Sequence, residues 1–137
     1  MANHPFAVQE IDHIVLRVRH LARSLAFYCD VLGCIVERQQ PELGLTQLRA
    51  GRSLIDLVTL DGPLGAGEPP GAGRNLEHFC VTIAPFEESA LIAWLTARGV
   101  PVREPASRYG AQGEGRSFYT EDPDGNRVEL KASRPSG

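Results

Sequence analysis

One strand–helix–strand–strand–strand pattern is written twice in this chain, and no other feature narrows the fold as far. The segment EIDHIVLRVRH alternates as a strand does: Ile14, Leu16 and Val18 fall on one face, His13, Val15 and Arg17 on the other. LARSLAFYCDVLG then has a helical period, with Leu21, Leu25, Tyr28 and Leu32 on one stripe and Gly33 at its end. CIVERQQ, LTQLRA and SLIDLVTL read as three short strands. After a loop the order recurs. LEHFCVTI alternates, PFEESALIAWLTARGV is a helix ending at Gly99, and PVREPA, GRSFYTE and NRVELKA are three more strands. His13 and His78 are 65 positions apart, Gly33 and Gly99 66, Asp56 and Glu129 73. A single duplication is a pseudo-symmetric fold, not a solenoid. The spacing predicts an α+β fold of two βαβββ modules in one domain over 1–137. Module one runs over 10–60, a connector over 61–75 and module two over 76–132. The helices are expected to cover one side of each sheet and leave the other side to line a cavity.

Composition excludes several function classes. The net charge is -3 and no run of Lys or Arg offers a grip on phosphates, so nucleic acid is not an expected partner. No apolar run approaches the roughly 18 residues of a membrane span. MANHPFAVQ has neither a basic n-region nor an apolar h-region, so no signal peptide is expected. Cys29, Cys34 and Cys80 are an odd number without a C-x-x-C pair. That fits free thiols in a reducing cytoplasm. The segment DGPLGAGEPPGAGRN, 61–75, holds five Gly and three Pro, which excludes regular structure and suggests a connector in preference to a flap.

The alternation also sorts the residues that can do chemistry. His13 and His78 lie opposite the apolar stripes of the first strands. In SLIDLVTL, Asp56 points away from Ile55 and Leu57; in NRVELKA, Glu129 points away from Val128 and Leu130. If the apolar faces are buried, His13, Asp56, His78 and Glu129 all face the other side of their sheets. Taken singly, each is an ordinary strand residue. As two imidazoles and two carboxylates in matched places, they suit a divalent transition metal with room for two further oxygen ligands. No thiolate set accompanies them, which disfavours a structural zinc cage. The segment EDPDGNRVELK reads as a tight turn with Pro123 and Gly125 at the special dihedrals, followed by the strand that carries Glu129. It lacks the D-x-D-x-D-G spacing of a calcium loop.

IDHIVLRVRHLARSLAFYCDVLG and DPDGNRVELK resemble the vicinal oxygen chelate superfamily, which includes glyoxalase I, fosfomycin and bleomycin resistance proteins and extradiol dioxygenases. The resemblance runs from about Ile11 to Lys131. It implies a cupped mixed sheet around a metal, commonly in a homodimer. The ligands of bacterial glyoxalase I (His, Glu, His and Glu) match His13, Asp56, His78 and Glu129. Asp56 is one methylene shorter, which leaves three expectations open: direct ligation, ligation through water, or a triad of His13, His78 and Glu129 without it. The resemblance places Arg17 and Arg38 where glyoxalase I holds glutathione carboxylates. Leu60 stands where an Asn often contacts glutathione, which speaks against that cosubstrate. Ser117 and Tyr119 match places used by fosfomycin-modifying transferases, while Val15 replaces their Thr.

The resemblance therefore implies a metal-dependent, glyoxalase I-like lyase or isomerase acting on a small substrate with adjacent oxygens through an enediolate-like intermediate. Glu129 is its expected general base. Ni, Zn, Mn and Fe(II) all suit the ligand set. Two alternatives remain: an extradiol-type Fe(II) dioxygenase, and a small-molecule-binding or resistance protein that is not an enzyme.

Overall fold

A computed structural model describes residues 9–67 and 76–134. In chain order the elements are β1 (His13–Val18), α1 (Leu21–Leu25) continuing as a π-helical turn (Ala26–Val31), β2 (Ile35–Gln40), a 3-10 turn (Pro41–Leu43), β3 (Leu45–Ala50) and β4 (Ser53–Thr59). There follow β5 (Phe79–Ile83), α2 (Glu88–Ala97), β6 (Arg103–Gly110), β7 (Gly113–Glu121) and β8 (Arg127–Ala132). The strands form two four-stranded mixed sheets, β1-β4-β3-β2 and β5-β8-β7-β6. In each, the first and last strands of the repeat lie parallel in the sheet, and the other pairs are antiparallel. Among the described residues, no helix is long and apolar enough to cross a membrane.

The chain groups into two compact units: Met1–Leu21 with Gly33–Glu68, and Ala22–Leu32 with Pro69–Gly137. The helix after β1 thus belongs with the second unit, where the repeat alone assigns it to the first sheet. Two contacts explain this. The Tyr28 hydroxyl donates to Asp122 Oδ2 at 2.6 Å, and the Ser24 hydroxyl to Asp124 Oδ2 at 3.3 Å. Periodicity shows which face of a helix is apolar, not which sheet it meets.

In the first unit Leu16, Val18, Leu48, Ile55, Leu57 and Val58 are buried. Leu16, Val18, Ile55 and Leu57 are the stripes that alternation assigns to the inner face. The 61–67 part of the loop packs tightly on the end of β4: a Cβ at Gly65 would lie 2.1 Å from the Thr59 carbonyl oxygen. The rest of the connector, 68–75, lies outside the described residues.

In the second unit Tyr28, Leu95, Phe118, Val128 and Leu130 form the core. β6 runs beyond the PVREPA segment to Gly110, and Ala111 and Gln112 close a two-residue hairpin into β7, with Gly110 paired to Gly113. The DPDGN turn is organised by Asp122, which is 5% exposed. Its Oδ1 accepts from the backbone N–H of Asp124 at 2.9 Å and of Asn126 at 2.8 Å. Its Oδ2 accepts from Asn126 Nδ2 at 2.7 Å as well as from Tyr28. Gly125, at φ +83, takes the left-handed position. The turn fixes the β7–β8 register, in which Tyr119 pairs with Glu129. A slip of one residue would send Glu129 to the apolar face.

Replacing Asp122 removes the acceptor of two backbone N–H groups and a buried hydroxyl. Asp122→Ala is expected to lower the unfolding free energy in urea by about 3 kcal/mol. A loss below about 1 kcal/mol would show that the turn closes without it.

Candidate metal centre

The two sheets repeat one geometry. In the first, β1 and β4 pair with Val15 opposite Asp56. In the second, β5 and β8 pair with Cys80 opposite Glu129. In both, the histidine stands two positions before the residue that faces the carboxylate, so each His shares a sheet face with its carboxylate. By register Asp56 is the counterpart of Glu129, and Gln47 on β3 is the counterpart of Tyr119 on β7.

In the second unit the pair meets. His78 Nε2 lies 3.2 Å from Glu129 Oε1, and the Glu129 side chain is 9% exposed. The other ring nitrogen, Nδ1, lies 3.3 Å from Glu77 Oε1. Glu77 in turn receives Arg127 Nη1 at 2.7 Å. That hydrogen bond, then the one from His78, lowers the Glu77 carboxyl below its ordinary range. Tyr119 packs edge-on to His78, ring centroids 5.2 Å apart, with the Arg127 and Arg108 guanidinium carbons 4.3 and 4.5 Å from its ring centre.

In the first unit the pair faces one way without joining. Asp56, 6% exposed, has both oxygens 3.2 Å from Gln47 Nε2. The shorter side chain stops at Gln47, and no hydrogen bond or ion pair links it to His13 among the described residues. His13 Nδ1 is 2.7 Å from Asp12 Oδ2. This hydrogen bond raises the His13 pKa above its ordinary value, loss of solvent opposes it, and the charge of Asp56 adds to it.

The donor set fits a divalent metal. His78 lies between two carboxylates, Glu77 at 3.3 Å from Nδ1 and Glu129 at 3.2 Å from Nε2, and either nitrogen can carry the ring proton. With the proton on Nδ1, Nε2 and the Glu129 carboxylate are two acceptors 3.2 Å apart, which a divalent cation would share. Among the described residues, no group of three or more His, Cys, Asp and Glu side chains is gathered. Each unit carries one imidazole and one carboxylate on one face of its sheet.

The other sequence candidates are placed as follows. Arg17 is on the His13 face of β1; its Nε donates to the Gly65 carbonyl at 3.0 Å, and its Nη2 is a buried polar atom without a partner. Arg38 is exposed and pairs with Gln47 beside a bulge in β2, on the Asp56 face. Ser117 is fully buried and its Oγ accepts from Arg108 Nη1 at 3.0 Å. The sequence reading passed over Asp12, Glu77, Gln47, Arg127 and Lys131. Lys131, 4% exposed, shares the Glu129 face and donates to the Gly113 carbonyl at 2.8 Å. A Cβ at Gly110 or Gly115 would lie 3.1 Å from its Cε or 3.0 Å from its Nζ. One signal was available: an acid directly precedes each histidine, in DHI and in EHF.

A family model described as the Glyoxalase/Bleomycin resistance protein/Dioxygenase superfamily matches residues 10–130. The chain belongs to this superfamily. Among its relatives, a protein of Bacillus subtilis named catechol-2,3-dioxygenase is 29% identical over 126 residues, covering 91% of this chain and 42% of that protein. The chain thus spans about two fifths of the length of that relative. A virulence protein of Salmonella typhimurium is 29% identical over 124 residues, 90% of this chain and 83% of that one. Among solved structures, an integron cassette protein from the mobile metagenome of V. cholerae aligns with a TM-score of 0.75 at 28% identity, over 96% of this chain and 100% of that one.

In this superfamily member Cys80 sits opposite Glu129 and reaches the surface. Its thiol is partly buried beside β8. That burial, then the Glu129 charge, pushes its pKa up to about 11, with Lys131 opposing. In metal-free protein the thiol is therefore protonated at neutral pH. In metal-free protein, iodoacetamide should alkylate Cys80 at pH 8 about a hundredfold more slowly than an unperturbed thiol, with the rate rising toward pH 11. Alkylation at the unperturbed rate would contradict this.

Proposed function

We propose that this superfamily member binds a divalent metal through His13, His78, Glu129 and Asp56. We propose that it carries out lyase or isomerase chemistry of the glyoxalase I kind on a small substrate with two adjacent oxygens. The observation behind the reading is the Glu129 carboxylate held 3.2 Å from His78 Nε2 at the centre of a sheet. The shell is completed by one half of each kind, and the working form is proposed to be a homodimer. Ni, Zn, Mn and Fe(II) are all compatible with the set.

When bound, the metal would supply a Lewis acid for the substrate oxygens. The rest falls to the chain. Glu129 would take a proton alpha to a carbonyl, from a position where little water competes for its oxygens. Asp56, tied to Gln47, would contribute charge at a longer reach than Glu129. Arg17, with an unpartnered Nη2, would meet an anionic group of the substrate, and Arg38 could do so from the neighbouring strand. Tyr119 would wall the site beside His78, with Ser117 acting through Arg108. Glutathione is not required by any of these contacts.

The 29% identity to a protein named catechol-2,3-dioxygenase favours a second reading, Fe(II)-dependent ring cleavage on the triad His13, His78 and Glu129. It lacks an acid–base histidine beside the pair: His20, the other described histidine, is exposed between β1 and α1.

Metal-loaded protein is expected to turn over an α-oxoaldehyde–thiol adduct, and Glu129→Gln to lower kcat by about 100-fold or more. Oxygen uptake with catechols after anaerobic iron loading would replace the first reading by the second. Saturable binding of a small molecule with neither turnover would contradict both.

A further inference from the structure

Two cations on the Glu129 face of the second sheet have no counter-charge. By register Ser117 lies opposite Lys131, and Arg108 opposite Gly115, on the face that carries Tyr119 and Glu129. Lys131 is 4% exposed, and its ammonium donates to the Gly113 carbonyl at 2.8 Å. Arg108 is half-buried over the Tyr119 ring. Its Nη1 donates at 3.0 Å to both the carbonyl and the Oγ of Ser117, and its Nη2 at 2.6 Å to the Glu104 carbonyl. All of these acceptors are neutral oxygens. Among the described residues, no carboxylate pairs with Arg108 or Lys131, whereas Arg127 beside them is matched to Glu77 and Glu104.

A charge withdrawn from water without a counter-charge is costly. The local structure is nevertheless arranged around both groups. Gly110 and Gly115 leave the space that the Lys131 stem fills, since a Cβ at either would crowd it. The β6 bulge holds Glu104 at φ +54, uncommon for a residue with a Cβ, and its carbonyl meets Arg108 there. Held by neutral oxygens, the Arg108 guanidinium keeps its full charge and its Nε–H for a further acceptor. We propose that Arg108 and Lys131 form an oxyanion subsite within the second unit, which takes a carboxylate or phosphate group of the substrate. Arg108 makes the contact, Lys131 is a charge set deeper, and Ser117 is a positioning residue for Arg108. Ser117 and Lys131 stand two residues along from Tyr119 and Glu129, so the oxyanion lies roughly 7 Å along the strands from Glu129. That this oxyanion belongs to the substrate rests on the reading under Proposed function; the subsite itself does not. Neither Arg108 nor Lys131 is among the residues that the family resemblance picks out.

The test is a titration of 15N-labelled, metal-free protein at low salt with two probes, inorganic phosphate and succinate, followed by 1H–15N NMR. Leaving metal out keeps the probes from binding to it. The expected result is saturable shifts at Arg108 Nε–H and at the Ser117 and Gly115 amides, and the tighter probe names the oxyanion class. Arg108→Gln is expected to weaken binding by about tenfold or more, and Lys131→Met, which keeps the stem and removes the charge, likewise. Arg116→Gln is the control: Arg116 lies on the opposite face, paired with Glu88, and its loss is expected to change binding by less than about twofold. If Lys131→Met fails to fold, Arg108→Gln decides alone. Absence of saturable binding by either probe would overturn the proposal, as would a loss in Arg116→Gln equal to that in Arg108→Gln. If Arg108 only covers the Tyr119 ring, Arg108→Gln leaves the titration unchanged, which also overturns it. A protein that shows these shifts and binds no metal keeps the subsite and loses the metal reading. One that binds metal without them keeps the metal reading and loses the subsite.

Discussion

The Asp122 carboxylate accepts four hydrogen bonds, from Asp124 N, Asn126 N, Asn126 Nδ2 and the Tyr28 hydroxyl. It is buried, so each of these donors has little water to fall back on. Three of the four close the turn between β7 and β8 and so set the register of the strand that carries Glu129. The fourth fastens α1 and its π-helical continuation to the second unit. One side chain thereby decides both where the first helix goes and which way the candidate base points.

The two units share a plan and differ in reach. Each has a histidine two positions before the residue opposite a carboxylate, an acid on Nδ1, and a polar residue across the next strand pair. A glutamate in the second unit reaches its imidazole. An aspartate in the first stops at Gln47, and His13 feels it only through its charge. Arg127 holds Glu77 beside His78 in the second unit.

Strand alternation made His13, Asp56, His78 and Glu129 legible as face-mates of their sheets, because a period of two leaves no other choice once the apolar face is buried. The two mixed sheets followed from the repeat. Three things did not. The grouping of α1 with the second unit depends on Tyr28 and Asp122, which are 94 positions apart and carry no shared pattern. The extension of β6 to Gly110 was hidden by glycines that make room for the Lys131 stem. Glu77 and Arg127 look like solvated charges until the register brings them together. Contacts between side chains leave only a faint trace in a sequence, here the acid before each histidine.

The proposed metal shell consists of two imidazoles and at least one carboxylate. X-ray absorption of the metal-loaded protein, with metal content determined on the same sample, addresses that shell directly. The prediction is one metal per chain in a purely nitrogen and oxygen shell at about 2.0–2.2 Å, with the multiple scattering of two imidazoles, reduced to one in His78→Ala. A protein that retains no metal, or a shell without imidazole scattering, would contradict it.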